Sequence, residues 1–187
     1  MSSTTSAATA KRPPSIEMEL RDLRQLFNSM DPSPFKDKDL DREAEEFIVS
    51  SAQEFPPDTA LTLRLHLDEW PAEDPTTLIR SAVHNYFAYR ARLNRQEFRL
   101  LMKRGRTSLI IGLLFLVTCL LLNKFVIGSS TEPWAGIAHE SLTIAGWVAM
   151  WRPMEIYLYD WWPVRRRGRI FTKLSGMHVE VIRKGQT

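Results

Sequence analysis

The chain has 187 residues and a formal net charge of +3, a length that fits one modest domain together with a membrane element. Its single cysteine, Cys119, excludes a disulfide within the chain and a zinc site built from paired thiolates. Residues 15–89 hold sixteen acidic and seven basic side chains, whereas residues 90–106 and 161–187 each hold seven basic side chains and one acidic side chain. No nucleic-acid-binding motif accompanies these basic clusters, so they favour anionic lipid headgroups over nucleic acid as partners.

The N-terminal half predicts a small head of mixed secondary structure. Residues 1–14 are rich in Ser, Thr, Ala and Pro, which is typical of a disordered tail. No apolar segment follows Lys11 and Arg12, so we expect no cleavable signal peptide. Residues 15–106 are expected to form a cytosolic α+β head, with apolar residues at helical spacing predicting helices over residues 15–29 and 38–54.

A leucine-rich strand is predicted over residues 60–67, where Leu61, Leu63, Leu65 and Leu67 alternate with polar residues. A strand needs a partner, and residues 177–183 show the same alternation, so we expect these two segments to pair. Such pairing would allow His66 and His178 to meet. Two histidines without supporting thiolates or carboxylates are weak evidence for a metal site, so no metal site is predicted.

A long helix is predicted from Pro75, because no proline interrupts the helical pattern before Pro133. Its first part, residues 75–106, belongs to the head. Residues 107–127 are expected to form transmembrane helix 1, since they are apolar on all sides and about 20 residues span a bilayer core. We expect Asn123 and Lys124 to lie at the far interface.

The rest of the chain predicts a return across the membrane. Residues 128–137 are expected to form a periplasmic turn, residues 138–159 transmembrane helix 2, and residues 160–187 a cytosolic basic segment with the C-terminal strand. Basic residues flank both outer ends of this hairpin, which places both termini in the cytosol by the positive-inside rule. The predicted fold is therefore a membrane α-helical hairpin of two transmembrane helices with a small cytosolic α+β head.

Two sets of side chains are candidates for contacts near the membrane. Arg152 and Glu155 are spaced three residues apart in the second predicted span, where ionisable groups need a partner. They serve either as a contact for a partner protein or ion, or as a structural pair in which Arg152 snorkels towards phosphates. The possible partner or ion contacts are Arg152, Glu155, Asp160, Trp161 and Trp162; the predicted lipid headgroup contacts are Lys103, Arg104, Arg106, Arg165, Arg166 and Arg167.

No catalytic motif is present. The chain has no glycine-rich phosphate loop, no G-x-S-x-G elbow and no H-E-x-x-H pair. We therefore predict a protein that is not an enzyme and needs no cofactor.

Two stretches, DPSPFKDKDLDREAEEFIV at residues 31–49 and WRPMEIYLYDWWPVRRR at residues 151–167, resemble a family of small bacterial two-span membrane proteins. The resemblance implies a location in a bacterial inner membrane and lends no catalytic residues. The predicted function is a non-enzymatic inner-membrane scaffold, anchor or accessory subunit with a protein partner or a homo-oligomeric state. The alternative is a homo-oligomeric channel or transporter subunit with Arg152 and Glu155 in a polar path.

Overall fold

The computed structural model describes residues 14–34, 38–56, 58–127 and 133–184. The chain divides into two compact units: a sheet unit made of Met1–Ala91 with Arg169–Thr187, and a helical unit made of Arg92–Gly168. Most of the predicted tail, residues 1–13, lies outside the described residues, and so do residues 128–132 of the predicted turn.

The sheet unit contains three parallel strands, β1 (Ser15–Leu20), β2 (Thr62–Leu67) and β3 (His178–Arg183), in the order β1-β2-β3. Leu63 of β2 pairs with Ile16 on one side and with Val179 on the other. The predicted pairing of the leucine-rich strand with the C-terminal strand is therefore confirmed. Because β2 precedes the helical unit in sequence and β3 follows it, the segments on either side of that unit belong to one sheet.

The helix predicted over residues 15–29 is wrong. This region contains β1 and a short 3-10 helix, Leu23–Gln25. Ile16 and Leu20, four residues apart, are both buried, and a spacing of four fits one face of a strand as well as one face of a helix. The segment forms a strand rather than a helix because pairing with the open edge of β2 satisfies the backbone hydrogen-bonding groups of both strands.

Helix α1 (Arg42–Gln53) covers the sheet, in the region where a helix over residues 38–54 is predicted. Asp41 caps it by accepting a hydrogen bond from the amide of Glu43. Ala44, Ile48 and Ala52 are its buried residues. The core of the sheet unit includes these side chains, the leucines of β2 and the apolar residues Ile79, Val83, Phe87, Phe171 and Leu174.

Helix α2 (Thr76–Leu122) is continuous for 47 residues and is followed by a π-helical segment, Asn123–Ile127. Asp74 accepts hydrogen bonds from the amide and the hydroxyl of Thr76 at 3.0 and 2.6 Å, and these bonds lower the pKa of its carboxyl. The predicted continuity of the helix is confirmed. Among the helices of the described residues, this helix alone is long and apolar enough to cross a membrane, and 17% of its most apolar stretch is buried.

The two-helix transmembrane hairpin is wrong, because the second predicted span, residues 138–159, is not one membrane-spanning helix. The region contains α3 (Trp134–Ala149), a break at Met150, α4 (Trp151–Glu155) and a π-helical segment, Ile156–Asp160. Helix α3 has 16 residues and is about 24 Å long, whereas a bilayer core is about 30 Å thick. Pro153 has no amide hydrogen to donate to the carbonyl of Ala149, which favours the break at this point.

Candidate membrane-contact site

The guanidinium of Arg152 lies between two carboxylates of the helical unit. Its Nη1 donates a hydrogen bond of 2.7 Å to Oε2 of Glu155 and lies 3.8 Å from Oδ2 of Asp160. The side chains of Arg152, Glu155 and Asp160 are 63%, 42% and 33% exposed. The structure thus brings together the three charged residues that the sequence singles out, on a surface where a partner could reach them. We call this set the Arg152 cluster.

Aromatic side chains continue beyond the Arg152 cluster in sequence. Helix α5 (Trp161–Leu174) begins with Trp161 and Trp162, whose rings meet edge to face with centroids 5.6 Å apart. The guanidinium of Arg165 lies over Trp161, 5.6 Å from its centroid. Trp162 and Tyr159 are largely exposed. Exposed tryptophans and tyrosines of this kind are typical of the level of lipid headgroups.

The predicted headgroup contacts are all exposed. Lys103, Arg104 and Arg106 lie on α2 immediately before its apolar part, and residues 165–167 lie on α5. The apolar part that follows on α2 also carries exposed side chains: Ile110, Ile111, Leu113, Leu114, Phe115, Val117, Leu120, Leu121 and Leu122. A contiguous exposed apolar surface of this size marks a site of contact with a membrane or with another protein.

Helices α2 and α3 approach closely at glycines. A Cβ atom on Gly112 would lie 2.9 Å from the carbonyl oxygen of Ala149, and a Cβ atom on Gly146 would lie 2.8 Å from Cδ1 of Leu116 and 3.5 Å from Cβ of Cys119. Small residues at such crossings let helix backbones pack closely in lipid as well as in water. The sequence reading missed this contact, although the seven-residue spacing of Gly105, Gly112 and Cys119 was the signal for it.

A polar contact joins the two helices beyond the glycines. Asn123 is 6% exposed, and its Nδ2 donates hydrogen bonds to Oγ1 of Thr143 at 3.0 Å and to the carbonyl oxygen of His139 at 3.3 Å. Its Oδ1 is buried and has no hydrogen-bond partner among the described residues. Asn123 therefore packs inside the helix pair, whereas its position at the far membrane interface stays a prediction. Lys124, next to it, is exposed.

A second polar cluster, within the sheet unit, has no counterpart in the sequence reading. Glu45 of α1 accepts hydrogen bonds from the hydroxyl of Tyr86 at 2.6 Å and from Nε of Arg90 at 2.8 Å. Burial, followed by this hydrogen bond, raises the pKa of Tyr86. The guanidinium of Arg90 also lies over the ring of Phe171, 5.3 Å from its centroid. These contacts tie α1 to α2 and α5, which is a structural role.

The histidines do not form a metal site in the described part of the chain, where no group of three metal-ligating side chains occurs. The strands carrying His66 and His178 do pair, but the register places His178 opposite Thr62 and His66 opposite Ile182. The two histidines are thus four positions apart along the sheet, about 13 Å. His84 instead contacts the carbonyl oxygen of Met177 through Nε2 at 2.8 Å.

Comparison of the chain with protein-family models, with curated proteins and with solved structures finds no match.

Proposed function

We propose that this protein is a non-enzymatic accessory or scaffold subunit anchored in the bacterial inner membrane. The apolar part of α2 inserts into the bilayer, and the Arg152 cluster with its neighbouring tryptophans contacts a partner protein at the membrane surface. The observation that carries this proposal is the exposed apolar surface of α2, which begins directly after Lys103, Arg104 and Arg106. Apolar residues preceded by basic ones suit the passage from a headgroup region into lipid.

The sheet unit lies on the cytosolic side in this proposal. The basic residues of α2 and α5 favour the cytosolic surface by the positive-inside rule. Pairing of β2 with β3 requires the segments before and after the helical unit to lie on the same side of the membrane. In this proposal the chain therefore enters the bilayer at α2 and leaves it on the same, cytosolic side.

The Arg152 cluster supports a role in partner contact. Its two carboxylates and one guanidinium leave one uncompensated negative charge on an exposed surface, next to exposed aromatic rings that are enriched in protein interfaces. A basic segment of a partner, or one with an Arg that can stack on Trp162, would complement this surface.

Site-specific photo-crosslinking tests this role in intact cells. A benzophenone amino acid in place of Trp162 should give one crosslinked species with a different protein, and the Arg152→Ala change should abolish it. The same probe at Trp134, another exposed tryptophan outside the cluster, is the control and should not give that species. Crosslinks to further copies of this chain alone would contradict the accessory-subunit proposal and favour the homo-oligomeric channel or transporter.

A further inference from the structure

A groove runs along α2 in the helical unit, at the point where the basic residues meet the apolar part. Its volume is about 690 Å³, within the range of about 300–1,000 Å³ that is common for small-molecule sites. Leu100, Lys103, Arg104, Thr107 and Ser108 line one end of it, and Ile111, Gly112, Phe115 and Ala149 line the other. From Lys103 to Phe115 the helix rises about 18 Å. The groove therefore carries two cations and two hydroxyls towards one end, next to Leu100, and is apolar at the other.

The cations at the polar end are not neutralised by any carboxylate of the described residues. In the part of the chain that the structure describes, no ion pair joins Lys103 or Arg104 to a carboxylate. The Thr107 hydroxyl donates to the carbonyl oxygen of Lys103 at 3.0 Å, which leaves its oxygen lone pairs available to a donor. Two exposed cations at the mouth of an apolar groove complement an anionic group attached to an apolar chain.

We infer that this groove binds one anionic phospholipid, with its phosphate at Lys103 and Arg104 and one acyl chain along Ile111 and Phe115. The inference rests on the proposed membrane anchoring, and it adds a defined site with a preferred class of lipid. A free phosphate ion would leave the apolar end empty. A second copy of this chain related by a two-fold axis beside Lys103 and Arg104 would place these cations against their own copies, which like-charge repulsion opposes.

Native mass spectrometry of the purified full-length protein tests the inference. Released from mild detergent, the protein should retain one phosphatidylglycerol molecule more strongly than one phosphatidylcholine molecule. The Lys103→Ala, Arg104→Ala double variant should weaken phosphatidylglycerol retention by about fivefold or more. The Arg95→Ala, Arg99→Ala double variant removes the same charge from two exposed residues of α2 that do not line the groove, and it should retain the lipid.

A second pair of variants tests the apolar end. Ile111→Trp places a large side chain in the groove and should lower retention, whereas Ile110→Trp alters a neighbouring exposed isoleucine that does not line the groove and should not. Equal retention of the two lipids, equal losses in both double variants, or a dimer in place of the lipid adduct would overturn the inference. Flotation with phosphatidylcholine vesicles distinguishes failure of the lipid site from failure of the proposed function. Wild-type protein that does not float with the vesicles contradicts the membrane anchoring itself. Protein that floats but shows no selective lipid adduct contradicts only the lipid site.

Discussion

The Nδ2 atom of Asn123 lies 3.0 Å from Oγ1 of Thr143 and donates a hydrogen bond to it. Thr143 in turn donates to the carbonyl oxygen of His139 at 2.8 Å. The contact fixes the register of α3 against the segment that follows α2, because a one-residue shift would leave the buried Asn123 amide without partners. Close packing at the glycines and this polar contact together define the α2–α3 pair.

A double-mutant cycle of Asn123→Ala and Thr143→Val should give a coupling energy of about 0.5–2 kcal/mol, which is the range for interhelical hydrogen bonds in membrane proteins. Unfolding by SDS in mixed micelles, followed by circular dichroism, measures it. Thr118→Val is the control partner, since the Thr118 hydroxyl donates to Leu114 within its own helix. Coupling as large with Thr118 as with Thr143 would contradict the assignment.

Alanine at two glycines should change stability in opposite directions. Gly112→Ala should lower the free energy of unfolding by about 1–2 kcal/mol, since the new Cβ would lie 2.9 Å from a backbone oxygen and must push α3 away. Gly136→Ala, on α3, meets no heavy atom within 4 Å and should raise it by up to about 1 kcal/mol, because alanine favours the helix. The same SDS titration measures both, and equal destabilisation by the two changes would disprove the close approach at Gly112.

The rate of maleimide labelling of the single cysteine should report whether α3 covers Cys119 on α2. Cys119 is 2% exposed and faces Gly146, so a membrane-permeable maleimide should label it slowly in the native protein and rapidly after unfolding. The Cys119→Ser, Leu120→Cys variant moves the thiol to a position that is 51% exposed. That variant should be labelled much faster in detergent; equal rates at the two positions would show that α3 does not cover Cys119.

The Tyr86–Glu45 hydrogen bond should make stability depend on pH in the alkaline range. The pKa of Tyr86 in the folded protein is raised above its ordinary value of 10.0 by burial and by Glu45. The neutral phenol is thus favoured in the folded state, so its stabilising contribution is complete below about pH 10 and is lost as the pH rises towards the folded-state pKa. Urea unfolding at a series of pH values should show a falling free energy of unfolding above pH 10.

Tyr86→Phe should remove that part of the pH dependence and cost about 1–3 kcal/mol at pH 7, because the phenol donates to a carboxylate. Tyr89→Phe, on the same helix at a residue that is 46% exposed, is the control and should leave the alkaline slope unchanged. A Tyr86→Phe protein with the wild-type slope would show that another group is responsible.

The periodicity of apolar residues correctly predicted the elements whose pattern fits only one kind of secondary structure. The three leucines of β2 and the uninterrupted helix from Thr76 are of this kind. It failed at β1, where Ile16 and Leu20 fit both a strand and a helix, and the outcome depends on pairing with β2, which is distant in sequence. It failed again near Met150, because hydropathy averaged over residues 138–159 hides the local effect of Pro153 on the helix.

The charged residues of the candidate site were predictable, since Arg152 and Glu155 are three residues apart on one helical turn. The contacts that join segments far apart in sequence were not. Glu45 meets Tyr86 and Arg90 across more than 40 residues, and Asn123 meets Thr143 across 20 residues. Nothing local in the sequence distinguishes Glu45 from the exposed Glu43 and Glu46 beside it.

Alkaline carbonate extraction of membranes from expressing cells tests whether the apolar part of α2 inserts into the bilayer. The wild-type chain and the Leu93→Arg control should remain in the membrane pellet. The Leu114→Arg, Leu121→Arg double variant should move to the supernatant, because each arginine costs about 2.5–3.5 kcal/mol within a bilayer. Release of the wild-type chain into the supernatant would show that α2 is not inserted.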